Sequence, residues 1–270
     1  MLDIDALFEK YFVEFVKNNT GKYSEEELED LVGQIYKEFG NKPLTELNGV
    51  SPIEYYKKMS DKELVEALNA CINDKIAVSD YLCDEIGKRP SASEYLLKNV
   101  SSSVSDELAS YSLNLLNENC ELTADDLIGF VNLLCEGKTG ESLTEIITET
   151  LKDNADKVKE EILGVYGENK DLSKYFDEIL SETTPSDERV LKILTDGLIK
   201  GDNIGLYSAY LTKYNDDSVL PVLNDLAMKT VSYIDYKELK LAIEALGGEI
   251  EYERDFSSDP YFKKIKNNLN

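Results

Sequence analysis

Along most of this chain apolar residues return every three or four positions, in short segments divided by brief polar breaks. In DIDALFEKYFVEFV, Ile4, Leu7, Phe8, Tyr11, Phe12 and Phe15 form one broad aromatic stripe, which predicts a helix over 3–18. A second helix, 24–39, opens on Ser24 followed by Glu25, Glu26 and Glu27. That is a capping-box start, with carboxylates on the positive end of the helix dipole. Gly49 closes a turn before Ser51 and Pro52, an N-cap and first helical residue with Glu54 set for a reciprocal cap. Ser60 and Glu63 repeat this grammar. Helices are predicted near 61–73, 78–87, 91–98, 102–118 and 123–135, with SSSVSDE (Ser101 to Glu107) as a loop plus N-cap. After GKTGES the rhythm resumes near 142–153, 155–166, 170–181, 187–200, 203–214, 217–230 and 234–247.

The last four helices have apolar positions spread over a wide arc. They include Val190, Leu194 and Leu198, then Leu206, Tyr207, Tyr210 and Leu211, then Val219 and Leu223, then Leu239, Leu241 and Ile243. Helices of about 12 residues with so wide an apolar arc must be sandwiched, and stacked hairpins do this simply.

The stretch LTKYNDDSVLPVL then resembles the centre of a HEAT-type repeat. By that resemblance Leu211 and Tyr214 take the last inward positions of one helix, and Asp216 or Asp217 is the turn aspartate. Val219, Leu220, Pro221 and Leu223 open the next helix. Tyr214 stands where the family usually has a small residue, and Ser218 where a basic one is frequent. The match covers 187–247. KPLTELNGVSPIEY is similar to a short element of uncharacterised bacterial helical proteins. Together the resemblances imply a bacterial, all-α protein of helical hairpins stacked as an irregular HEAT-like α-solenoid, with an additional N-terminal helical segment. The expected divisions are 1–135 for the N-terminal helical region, 136–250 for the HEAT-like repeats and 251–270 for a C-terminal tail. HEAT-like families include adaptors and scaffolds, some lyase-like subunits, and some DNA-repair enzymes with basic grooves.

Composition narrows the function. The six prolines and 15 glycines are thin punctuation that fits a helical chain. Acidic residues number 54 against 29 basic ones, a formal net charge of -25. The excess is shared, with 26 acids and 12 bases in 1–135 and 28 and 17 in 136–270. Such a surface repels phosphate backbones, so no nucleic acid partner is expected. Lys263, Lys264 and Lys266 in YFKKIKNNLN read as solubilising charge on a frayed end. No run approaches the roughly 18 apolar residues of a membrane helix, and the acidic N-terminus does not read as a signal peptide. A cytoplasmic location without membrane contact is expected.

The chain has no histidine, which removes His-based triads, imidazole bases and metal sites that need a nitrogen ligand. Cys71, Cys83, Cys120 and Cys135 form no CxxC pair and sit in apolar helical context, as buried free thiols do. GKTGES lacks the GxxxxGK[ST] order of a phosphate loop. No cofactor or metal is expected. Acid pairs such as Asp125–Asp126 and Asp216–Asp217 arise by chance among 54 acids.

Seventeen tyrosines against eight phenylalanines is a marked excess. Tyr207, Tyr210 and Tyr214 share one helix face, Tyr233 and Tyr236 follow, and Asp216 and Asp217 lie between. These seven are the candidate interaction surface, because tyrosine gives contact area at little entropy cost. The expectation is a non-catalytic protein–protein interaction module or scaffold, whose partner is another protein with a basic or mixed surface. The alternatives are an acidic inhibitor or immunity-type protein masking a basic nuclease or toxin, and a carboxylate- or thiol-based enzyme.

Overall fold

A computed structural model describes residues 2–102, 105–201, 203–250 and 254–268, and among them the protein is all-α. In chain order the helices begin with α1 (Ile4–Asn18), α2 (Glu25–Gly40), α3 (Pro52–Lys57), α4 (Asp61–Asp74) and α5 (Asp80–Gly87). They continue with α6 (Ser93–Ser102), α7 (Asp106–Asn119), α8 (Ala124–Cys135), α9 (Glu141–Lys152), α10 (Ala155–Val165) and α11 (Ser173–Leu180). The last are α12 (Glu188–Lys200), α13 (Ile204–Tyr214), α14 (Leu220–Lys229), α15 (Tyr233–Ala245) and α16 (Pro260–Asn268). No helix among the described residues is long and apolar enough to cross a membrane.

The caps explain most of these boundaries. Full capping boxes form at Ser24–Glu27 and Ser60–Glu63, while at Ser51 the serine oxygen accepts from Glu54 N at 3.4 Å. Gly49, at φ +80°, closes the turn through its N–H to Leu44 O. Ser101 and Ser102 finish α6 and Ser105 caps α7, whereas Ser103 and Val104 of the expected loop lie outside the described residues. The expected tail contains α16, whose start is capped by Asp259 Oδ1 accepting from Phe262 N at 2.8 Å. Its polar run KKIKNN hid it, because Phe262 and Ile265 alone give no readable stripe. Residues 251–253 and 269–270 of that tail lie outside the described residues.

The chain forms two compact units, Met1–Asp126 with Lys138–Ile146, and Leu127–Gly137 with Ile147–Asn270. The divisions between them fall within α8, after Gly137 and within α9. In the first unit the N-terminal stripe packs as aromatic pairs. Phe8 stands edge-on to Tyr36 at 4.8 Å, and Tyr36 stacks on Tyr81 at 4.5 Å. Tyr36 OH donates to Asp5, and Tyr81 OH donates to the Tyr36 carbonyl. Arg89, after α5, closes the end of α3 by donating to the carbonyls of Lys57 (2.9 Å) and Met59 (2.5 Å). The same guanidinium donates to Glu85 (2.6 Å) and Asp61 (3.2 Å), so one side chain ties α3, α4 and α5 together.

In the second unit α13 packs on α11, α12 and α15, and α14 and α16 pack on α15. Its polar links recur at a near-constant interval: Lys152–Glu178, Asp156–Thr184, Glu160–Arg189, Asp177–Tyr207 and Glu182–Lys213. Their separations run from 26 to 31 residues, the length of one helical hairpin with its turns. The first unit has the same interval in Asp5–Tyr36 (31) and Asn69–Asn99 (30).

Candidate functional site

The candidate surface is built around the turn between α13 and α14. Asn215 closes α13 in the left-handed region at φ 58°. Asp216 Oδ1 then accepts from Ser218 N at 3.0 Å, and a 3-10 turn, Asp217–Val219, leads into α14 with Pro221 in its first turn. The two aspartates therefore open a helical segment, where carboxylates suit the free N–H groups.

The tyrosines do not form one exposed face. Tyr214 is fully buried, its hydroxyl accepting from Asp187 N (2.9 Å) and Ser186 N (3.2 Å) and donating to Asp187 O (3.1 Å). A small residue at this position could not reach the loop before α12. Tyr210 is buried as well, and burial pushes its hydroxyl up to about 12. Tyr207 is half-buried, its ring over Gly197, where a Cβ would overlap it. Tyr233 and Tyr236 pack against Phe256 and Phe262 of the C-terminal segment. Apolar contact between helices, and not a shared outer face, accounts for the periodic tyrosines.

Asp177 is the one strongly buried carboxylate here, 2% exposed on α11. It accepts from Tyr166 OH (2.5 Å) and Tyr207 OH (2.6 Å), joining the end of α10 to α13. Burial raises its pKa above the ordinary carboxylate value, opposed by the two hydroxyls and by Lys200. The folded chain thus holds this proton more tightly than the unfolded chain, and this group costs stability as pH rises from about 4 through its folded pKa. Asp177→Asn is expected to flatten that fall, measured as urea midpoints across the acid range. An unchanged pH profile would show that Asp177 ionises without cost.

Little in this constellation suits catalysis. Both Asp177 oxygens are occupied by tyrosines. The four cysteines are free thiols; burial pushes Cys83 up to about 11 and raises Cys71, Cys120 and Cys135, so the thiolate nucleophile is scarce at neutral pH. Among the described residues no group of three or more Cys, Asp or Glu is placed to hold a metal.

What the second unit does present is a set of open furrows. One of about 460 Å³ lies between α10 and α12, with Glu160, Gly164 and Gly167 facing Arg189, Ile193 and Asp196. A smaller one, about 210 Å³, sets the end of α8 at Leu134 and Cys135 against Glu168–Leu172. A third, about 650 Å³, lies between α13 and α15. Its walls are Ser208, Ala209 and Thr212 on one side and Leu241, Ala242 and Ala245 on the other, with Lys213 and Glu238 on the rim. Facing residues such as Glu160 and Arg189 are 29 positions apart in the first furrow, and Ala209 and Ala242 are 33 apart in the third.

This furrow was not read from the sequence. Leu206 and Leu241 were expected to pack inward, yet they are exposed, Leu241 by 56%. A readable signal did exist, in the small residues Gly205 and Ala209 on one helix and Ala242 and Ala245 on another, 33 to 40 positions on. No family model matches this chain, and no curated protein or solved structure matches it either.

Proposed function

We propose that this protein is a non-catalytic helical-repeat module that binds another protein. The observation that carries the reading is a pair of open furrows, each between helices one hairpin apart. A stack of hairpins creates such a furrow wherever two helices of the same row meet, and this supports the HEAT-like solenoid reading of 136–250. Open furrows suit a chain segment better than a small substrate, which is held in an enclosed cavity. The charge of -25 favours a partner with a basic or mixed surface, drawn in and oriented by the field.

Affinity capture with the full chain at low and high salt tests this. A protein partner is expected at low salt, with retention falling as salt rises, and purified partner should rebind. Retention of nothing, or equal retention by an unrelated protein of the same charge, would remove the reading.

A further inference from the structure

The furrow between α13 and α15 differs from the others in three ways. First, alanines line both of its walls. A Cβ at Gly205 would stand 3.3 Å from Glu238 Cγ, and Ala209, Ala242 and Ala245 continue the small-residue line. Small residues let a third helix approach closely, but alone they indicate only tight packing. Second, Leu241 stands 56% exposed on the wall, unlike the fully buried leucines of the adjacent core. Third, Ser208 is 2% exposed and lines the furrow, yet its Oγ has no hydrogen-bond partner. Buried polar atoms are nearly always bonded, and among the described residues Ser208 Oγ and Ser110 Oγ are the buried side-chain atoms without a partner, Ser208 being the one that lines this furrow.

The two helices run parallel, since Gly205 near the start of α13 meets Glu238 of α15 and Thr212 shares the furrow with Ala245. Their dipoles therefore add, and an added helix is favoured when it lies antiparallel to both. On the rim Lys213 is already paired with Glu182, whereas Glu238 has no ion pair among the described residues. The unneutralised charge thus lies near the N-terminal end of the furrow and calls for a lysine or arginine. A second copy of this chain fits poorly, because each carries -25.

We infer that the α13/α15 furrow docks one amphipathic helix of a partner protein, antiparallel, with its apolar stripe along Leu241 and the alanines. A basic residue in its C-terminal turn meets Glu238, and a polar group bonds Ser208 Oγ. The inference rests on the binding-module reading and adds the place and the chemistry of the partner.

The test uses the full chain and a phage-displayed library of peptides of about 15 residues, roughly four helical turns. Selected peptides are expected to carry apolar residues at i, i+3 or i+4 and i+7, and Lys or Arg near their C-terminus. Leu241→Glu and Ala209→Gln, both at exposed positions, should weaken them at least tenfold, as measured by fluorescence anisotropy. Ser208→Ala should weaken them severalfold while leaving the melting temperature unchanged or higher, which a merely structural serine would not do. Lys192→Ala, in the other furrow, should leave affinity intact. Failure to select peptides, or peptides indifferent to Leu241 and Ala209, would overturn the inference. So would self-association of the chain that Leu241→Glu abolishes, since the occupant would then be a second copy. A captured protein partner that still binds Leu241→Glu would sink the furrow while sparing the binding-module reading.

Discussion

Tyr214→Ala is expected to lower stability by about 4 kcal/mol, the usual range for emptying a buried aromatic site. The ring is fully buried at the end of α13, and the hydroxyl holds two amides and one carbonyl of the loop that opens α12. Truncation therefore leaves a cavity and also strips the loop of its partner. Tyr214→Phe separates the two effects: it keeps the ring and should cost about 1–3 kcal/mol for the polar groups left unpaired. Urea unfolding followed by circular dichroism measures both. If Tyr214→Ala shifted the midpoint no more than a surface substitution does, the tyrosine would not be the strut described here.

In the first unit the corresponding strut is Arg89, and Arg89→Ala should cost about 3 kcal/mol. Four groups converge on its guanidinium, and the side chain is only 19% exposed. Removing it leaves two carbonyls at the end of α3 unbonded and sets Glu85 and Asp61 together without a counter-charge. Arg89→Met keeps most of the stem and should recover only the packing share, a minor part of the loss. Thermal unfolding of the two variants distinguishes these shares; equal stability of Arg89→Met and the parent chain would show that the four bonds contribute nothing net.

The helices were legible wherever an apolar stripe and a cap coincided. Ser24, Ser51 and Ser60 marked their starts, and Gly247, at φ +81°, follows the end of α15. The aspartates of KYNDDSVLP were legible as a turn for the same reason: local chemistry determined it. What the sequence could not convey was which neighbour each stripe would meet. Tyr210 and Tyr214 follow the same spacing whether they face solvent or a helix 30 residues away, so periodicity alone could not decide between surface and core. Leu241 erred in the other direction, read as inward yet exposed. Helix α16 escaped because its docking depends on Phe262 meeting Tyr233, a contact between residues 29 positions apart.

Burial of Tyr210 and Tyr214 moves the weight of the functional reading from the tyrosines to the furrow. The tyrosines and Asp177 tie neighbouring helices together, while the α13/α15 furrow offers apolar area and a hydroxyl without a hydrogen-bond partner. The most direct measurement is the dissociation constant of the captured protein partner for the parent chain and for Leu241→Glu, with melting temperatures recorded for both. Weakening of at least tenfold with an unchanged melting temperature is the predicted result. Equal affinity for the two chains would place the binding surface elsewhere.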